Sequence, residues 1–268
     1  MEQRITVTID RGVADVRLAR PDKMNALDQA MFDALEATGA ELAGDKSLRA
    51  VVLSGEGRAF SAGLDFMSFA AMSDSDRKPG GSLLDRPDNS AATHAQRAAY
   101  VWQTLPVPVV AAVHGVAYGG GLQIALGADI RIVAPDARLS VLEIKWGLIP
   151  DMTGTQRLRH LVRQDVAKEL TFTGRVVDGE DAVRLGLATR TADDPHAAAT
   201  ELAREIAGKS PDAVRAGKRL LNDAYLLDEE TGLRLEAGLQ TKLIGSANQL
   251  EAVQANMAKR EPDFADPE

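Results

Sequence analysis

The chain has 268 residues, enough for one large domain or two small ones, with 45% hydrophobic and 26% charged residues, the proportions of an ordinary globular protein. A formal net charge of −8 argues against nucleic acid as a partner, because a phosphate backbone needs a basic face. Cysteine is lacking, which excludes disulfides, thiolate catalysis and Cys-based metal sites, and His94, His114, His160 and His196 are not spaced as a metal site.

The first residues, MEQRITVTIDRG, are charged and alternating, unlike a secretory signal. Ile5 to Ile9 and Val13 to Leu18 read as two strands of a hairpin around Asp10-Arg11-Gly12. Asp28 is placed to cap a helix from Gln29 to Leu42 that turns Met31, Leu35 and Leu42 inward. Ala50 to Gly55 is nearly all apolar, the pattern of a strand buried on both faces. EGRAFSAGLDF, 56–66, is a loop entering a helix, and the polar stretch 73–90 is an excursion rich in Gly, Pro and Asp.

A helix from Ala91 to Leu105 then leads to a strand, Val109 to Val113. Between Ala98 and Ala128 there is no charged residue, yet Pro106, Pro108 and Gly119-Gly120-Gly121 break this stretch, which reads as a buried strand-turn-helix unit and not a membrane span. The expected compartment is cytoplasmic. A helix to Gly127, a strand from Asp129 to Val133 and a short strand Arg138 to Val141 follow, an alternation that predicts α/β units with right-handed crossovers. Past Thr153 the chain turns helical, with amphipathic helices expected over Pro211 to Leu227, Asp228 to Ile244 and Asn248 to Lys259.

Three stretches are candidates for chemistry. The glycine triplet opens a helix and exposes backbone N–H groups at its positive end, suited to a developing negative charge; close helix–sheet packing is the alternative use of such glycines. Ser61-Ala62-Gly63-Leu64-Asp65 is a second strand-loop-helix junction, and two such junctions after adjacent parallel strands place N–H groups together where open α/β sheets bind ligands. Glu143 and Asp151 lie in the apolar segment EIKWGLIPD, where a carboxylate has a raised pKa and can pass protons. The alternatives are that Glu143 caps, or pairs with Lys145 or Arg131, and that Asp151 caps the helix at Thr153.

Together these stretches resemble the crotonase family, the enoyl-CoA hydratase/isomerase superfamily. The resemblance rests on RPDKMNAL (20–27), GRAFSAGLDF (57–66), VAAVHGVAYGGGLQIALGADIRI (110–132), EIKWGLIPDMTGTQRL (143–158) and the closing KREPDF (259–264). It implies a crotonase-like α/β fold: a spiral of β-β-α units over 1–200 and a helical trimerisation region over 201–268, commonly assembled as a trimer or a hexamer of two trimers. It also implies an acyl-CoA substrate, with no further cofactor, no metal, no nucleic acid and no membrane.

By that resemblance the N–H groups of Leu64 and Gly120 bind the thioester oxygen and stabilise its enolate, each such donor being worth about 3–4 kcal/mol of barrier. Lys23, Met24, Ala62 and Gly63 lie against the CoA moiety; Asp65, Gly119 and Trp146 complete the substrate site; and His114 takes a turn position. Family hydratases carry two glutamates. Glu143 matches one, and Gln123 stands where the other would be. Asp151 instead matches a catalytic aspartate of dienoyl-CoA isomerases, which also carry an aspartate at the Gln123 position.

A base and an acid suffice for isomerisation, whereas hydration needs a water activated between two groups, so proton-shuttle isomerisation by Glu143 and Asp151 is preferred over hydration. A thioester or carbon–carbon hydrolase and an acyl-CoA-binding protein with little turnover are the other readings. Met67, Phe69, Met72, Leu83 and Leu84 are candidates for the acyl pocket.

Overall fold

Residues 3–65, 67, 83–88 and 90–267 are described by the structure, a computed structural model. Strands β1 (Ile5–Asp10) and β2 (Val13–Leu18) form the expected antiparallel hairpin, with Ile5 opposite Leu18. From β2 onward the main sheet is parallel, in the order β1-β2-β3-β4-β6-β8, with β3 at Ala50–Gly55, β4 at Val109–Val113, β6 at Ile130–Val133 and β8 at Arg190–Thr191.

Every residue of β3 and β4 is buried, because both faces of the sheet are covered. Alternate side chains point to opposite faces, so Val51 and Leu53 join the large core while Ala50 and Val52 join a smaller cluster. Helix α1 (Gln29–Gly44), α2 (His94–Thr104) and α3 (Gly120–Gly127) supply the large core. Helix α7 (Pro195–Ala207) covers the other face through Ala199 and Ala203. Between α3 and α7 come β7 (Arg138–Ser140), α4 (Gly154–Leu161), α5 (Gln164–Thr173) and α6 (Gly179–Leu185).

Asp28 caps α1 as expected, accepting from Met31 N at 2.9 Å, and its carboxylate also pairs with Arg4 at 2.8 Å. Two boundaries differ from the sequence reading by three residues. Helix α2 starts at His94 and not Ala91, because Thr93 and Gln96 form a reciprocal capping box that fixes the first turn. Helix α8 (Pro211–Ala224) stops short of Leu227, since Leu226 N turns back to Asp223 O and Asp228 caps α9 (Glu229–Leu243) through Thr231 N.

A short strand that the sequence reading lacks, β5 (Val116–Tyr118), pairs in parallel with β7 in a separate two-stranded sheet. It follows Gly115, whose left-handed backbone (φ 60°) turns the chain out of β4; a Cβ there would sit 2.0 Å from Arg58 O.

Helix α8 is tied to the core by Lys218. Its ammonium is almost completely enclosed and donates to Trp102 O (3.1 Å), Val107 O (2.9 Å) and Asp129 (2.8 Å), so it satisfies a carbonyl in the last turn of α2 and one in the connection to β4 while pairing with a carboxylate. Burial lowers its pKa against the pull of Asp129. Leu221 on α8, Leu233 on α9 and Met257 on α10 (Ala247–Ala258) are exposed, as are Tyr225 and Leu226 just beyond α8 and Ile244 just beyond α9. Among the described residues no helix is long and apolar enough to cross a membrane.

Candidate active site

The two glycine-bearing junctions meet. The loop after β3 runs beside β5: Ser61 N donates to Val116 O (3.0 Å) and Tyr118 N to Ser61 O (3.1 Å). On its other side it zips onto the 24–27 stretch, through Ala62 N to Met24 O (2.8 Å), Leu27 N to Gly63 O (2.8 Å) and Asp65 N to Leu27 O (3.0 Å). Gly63 has a left-handed φ of 84°, and a Cβ there would lie 2.5 Å from Tyr118 O and 3.6 Å from Gly120 N. Gly63 therefore puts the loop directly against the start of α3, which only a residue without a side chain permits.

This zipper uses the Gly63 carbonyl and the Asp65 N–H and skips the N–H of Leu64. Gly120 is the first residue of α3, so its N–H has no partner in the helix either. Among the described residues neither N–H meets an acceptor. Two unused donors on adjacent segments, one of them at a helix N-terminus, form a site that favours negative charge on a ligand oxygen.

Beside it stands Glu143. It opens a 3-10 turn, Glu143–Trp146, and is buried. Gly119, held by its N–H to Ser140 O (3.0 Å), lies so close that a Cβ there would be 3.4 Å from Glu143 Oε1. The glycine triplet and the carboxylate thus share one wall. Oε1 accepts from Gln123 Nε2 at 2.6 Å, while Oε2 is buried and, among the described residues, has no hydrogen-bond partner. Burial raises the Glu143 pKa, opposed by hydrogen bonds that include Gln123 and reinforced by the charge of Asp151.

Asp151 is open to solvent yet crowded by surrounding protein, and this desolvation raises its pKa too. It does not cap the following helix: Thr153, in a left-handed conformation (φ 70°), occupies the cap position of α4, which has no side-chain cap. The other structural roles weighed for the acids are also unfilled. Arg131 spends its guanidinium on Leu187 O and Ala128 O, and Lys145 sets its ammonium 5.2 Å from the centre of the Trp146 ring, so neither pairs with Glu143.

Around this centre Lys23 is exposed at the end of a 3-10 turn and Met24 follows with a left-handed φ of 50°. Asn25, which the sequence reading did not single out, is wholly buried and holds the site's floor together. Its amide donates to Glu56 O (2.9 Å) and Ala59 O (2.8 Å), its Oδ1 accepts from Arg20 N, and its carbonyl accepts from Ser61 Oγ. Asp65 is ion-paired with Arg20 at 2.7 Å and accepts from Met67 N. Trp146 is half-exposed at the end of the Glu143 turn. Of the acyl-pocket candidates, Leu83 packs against the core, Met67 and Leu84 are exposed, and Phe69 and Met72 lie outside the described residues, as do most of 73–90 and the helix expected after 66.

A model of the enoyl-CoA hydratase/isomerase family matches residues 8–267, and the chain belongs to that family of acyl-CoA enzymes. It is 33% identical over 262 residues to the mitochondrial methylglutaconyl-CoA hydratase of Mus musculus, covering 95% of this chain and 80% of that one. The crystal structure of enoyl-CoA hydratase from Bacillus anthracis superposes with a TM-score of 0.89 at 31% identity, covering 99% of this chain and 100% of that one. The enoyl-CoA hydratase of Mycobacterium tuberculosis gives 0.86 at 27% identity over 99% of this chain and 100% of that chain.

Proposed function

We propose that this enzyme moves the double bond of an enoyl-CoA thioester, with Glu143 and Asp151 as the proton carriers. The observation that carries this reading is the state of Glu143: one oxygen is occupied by Gln123, the other is buried with no partner among the described residues, and Gln123 cannot itself exchange a proton. The thioester oxygen sits between the N–H groups of Leu64 and Gly120, and the CoA moiety lies along Lys23, Met24, Ala62 and Gly63.

Glu143 Oε2 removes a proton from the saturated carbon α to the thioester carbonyl of a 3-enoyl substrate, or γ to it in a 2-enoyl substrate. The electron pair moves onto the thioester oxygen as a dienolate, which the two N–H groups stabilise. Asp151 returns a proton at a different carbon. One proton leaves and one arrives, so the substrate is neither oxidised nor hydrated, and transfer of the proton from Glu143 to Asp151 restores the starting state.

Both carboxylates have raised pKa values, and the reaction needs one proton on the pair. Activity is therefore expected to rise with pH as Glu143 ionises, above its ordinary value of 4.5, and to fall as Asp151 loses its proton. Hydration is the second reading, favoured by the names of the relatives above. Assays with 2-enoyl-, 3-enoyl- and conjugable dienoyl-CoA substrates separate the two. Asp151→Asn should lower isomerisation by about 10²–10⁴-fold. Fast hydration that survives Asp151→Asn would sink the isomerase assignment.

The exposed apolar residues of α8–α10 support self-association, as a trimer or a pair of trimers. Light scattering on purified protein is expected to give a mass that is a multiple of three chains, and a monomer would refute it.

A further inference from the structure

We infer that Gln123 is a positioning residue: its carboxamide selects the oxygen of Glu143 that handles the proton and fastens the Glu143 and Asp151 segments to one point on α3. This rests on the reading that Glu143 transfers protons. Gln123 is 2% exposed, and both polar atoms of its amide are hydrogen-bonded. Its Oε1 accepts from both Met152 N (2.7 Å) and Gly154 N (2.9 Å), which uses both lone pairs. Turned over, the amide would set its NH₂ against two N–H donors, so its orientation is fixed, and the NH₂ faces Glu143 Oε1 at 2.6 Å. Oε1 is thereby tethered beside Gly119, and Oε2 is left without a hydrogen bond among the described residues.

The same side chain holds the turn immediately after Asp151. There is no slack: a Cβ on Gly154 would meet Gln123 Oε1 at 2.7 Å. Both proton carriers therefore hang from a single residue of α3, a helix whose side chains from Gly121 to Gly127 are all buried.

An amide serves here where an acid would not. A glutamate could accept the same two N–H groups with one oxygen, but its other oxygen would stand 2.6 Å from Glu143 Oε1. Two carboxylates at that distance must share a proton. The amide donates instead, which favours the ionised Glu143 that burial and Asp151 disfavour. Asp151 is the ionisable neighbour that bears on Glu143. Helix α3 and the Ser61–Leu64 loop contribute no ionisable side chain. Around the rest of the turn Lys145 lies over Trp146, Glu169 of α5 pairs with Arg175, Asp165 pairs with Arg163, and Arg157 of α4 bears on Asp129 and Tyr100.

The test is the pH profile of kcat and kcat/KM for Gln123→Met and Gln123→Glu with 3-enoyl-CoA. Gln123→Met, which removes both sets of hydrogen bonds at similar length, should lower kcat by about 10–100-fold with KM little changed, as expected when a base is misplaced. It should also move the acid limb to higher pH, because ionised Glu143 loses its donor. Gln123→Glu should keep KM and fold while shifting the acid limb up by about one pH unit or more through proton sharing. Profiles that superimpose on that of the parent would overturn the inference; should the methionine variant fail to fold, the glutamate variant decides. Glu143→Gln separates the two levels. If it retains parental activity, the proton-transfer reading itself fails; if it is inactive while the Gln123 profiles do not move, only the positioning role fails.

Discussion

Glu143→Gln is expected to lower kcat by about 10²–10⁴-fold, the usual worth of a positioned general acid or base. The substitution keeps the shape of the side chain, and its carbonyl can still accept from Gln123 Nε2 in place of Oε1. What it removes is the proton-accepting capacity of Oε2, the buried oxygen with no partner among the described residues. KM should change little, since the proposed binding surface is backbone from other segments. The rising limb of the pH profile should vanish with the carboxylate that produces it. Steady-state rates across pH, with circular dichroism to verify the fold, check this; a variant with a tenth or more of parental kcat would rule Glu143 out as the base.

The second large effect is expected from one backbone atom. Replacing leucine at position 64 with its α-hydroxy acid exchanges the N–H for an ester oxygen and leaves the side chain intact. Removal of one oxyanion donor costs about 10²–10³-fold in kcat. The fold tolerates the loss because the Leu64 N–H meets no acceptor, whereas the neighbouring Gly63 carbonyl and Asp65 N–H do the structural work. The Gly63 carbonyl becomes a weaker acceptor for Leu27 N, a change of under about 1 kcal/mol that thermal melting distinguishes from the rate effect. An unchanged kcat would place the thioester oxygen elsewhere.

Local signals account for what the sequence made legible. The hairpin, the Asp28 cap and the buried β3 are encoded within a few residues of themselves: alternation, a capping side chain, an unbroken apolar run. The family motifs likewise located both glycine-bearing junctions. What escaped depends on partners distant in the chain. Three-residue β5 exists because β7 lies beside it, twenty-odd residues on, and no periodicity is visible in so short a segment. Asp151 sits two residues before Thr153, where a cap is plausible on spacing, but the left-handed Thr153 takes that position. Gln123 read as a lost acid, because the two backbone N–H groups that give its amide a purpose belong to residues 152 and 154. Asn25 was silent for the same reason: its partners are Glu56 and Ala59.

In the proposed mechanism the two donors for the thioester oxygen belong to the main chain and the proton carriers to side chains. The first cannot be titrated, oxidised or altered by an ordinary codon change short of proline, and so responds to nothing but the shape of the fold. On that mechanism the titrating groups are the side chains at 143 and 151, and the reaction is set by them together with the amide at 123. A lineage could re-specify those three while inheriting the charge-stabilising half of the site unchanged.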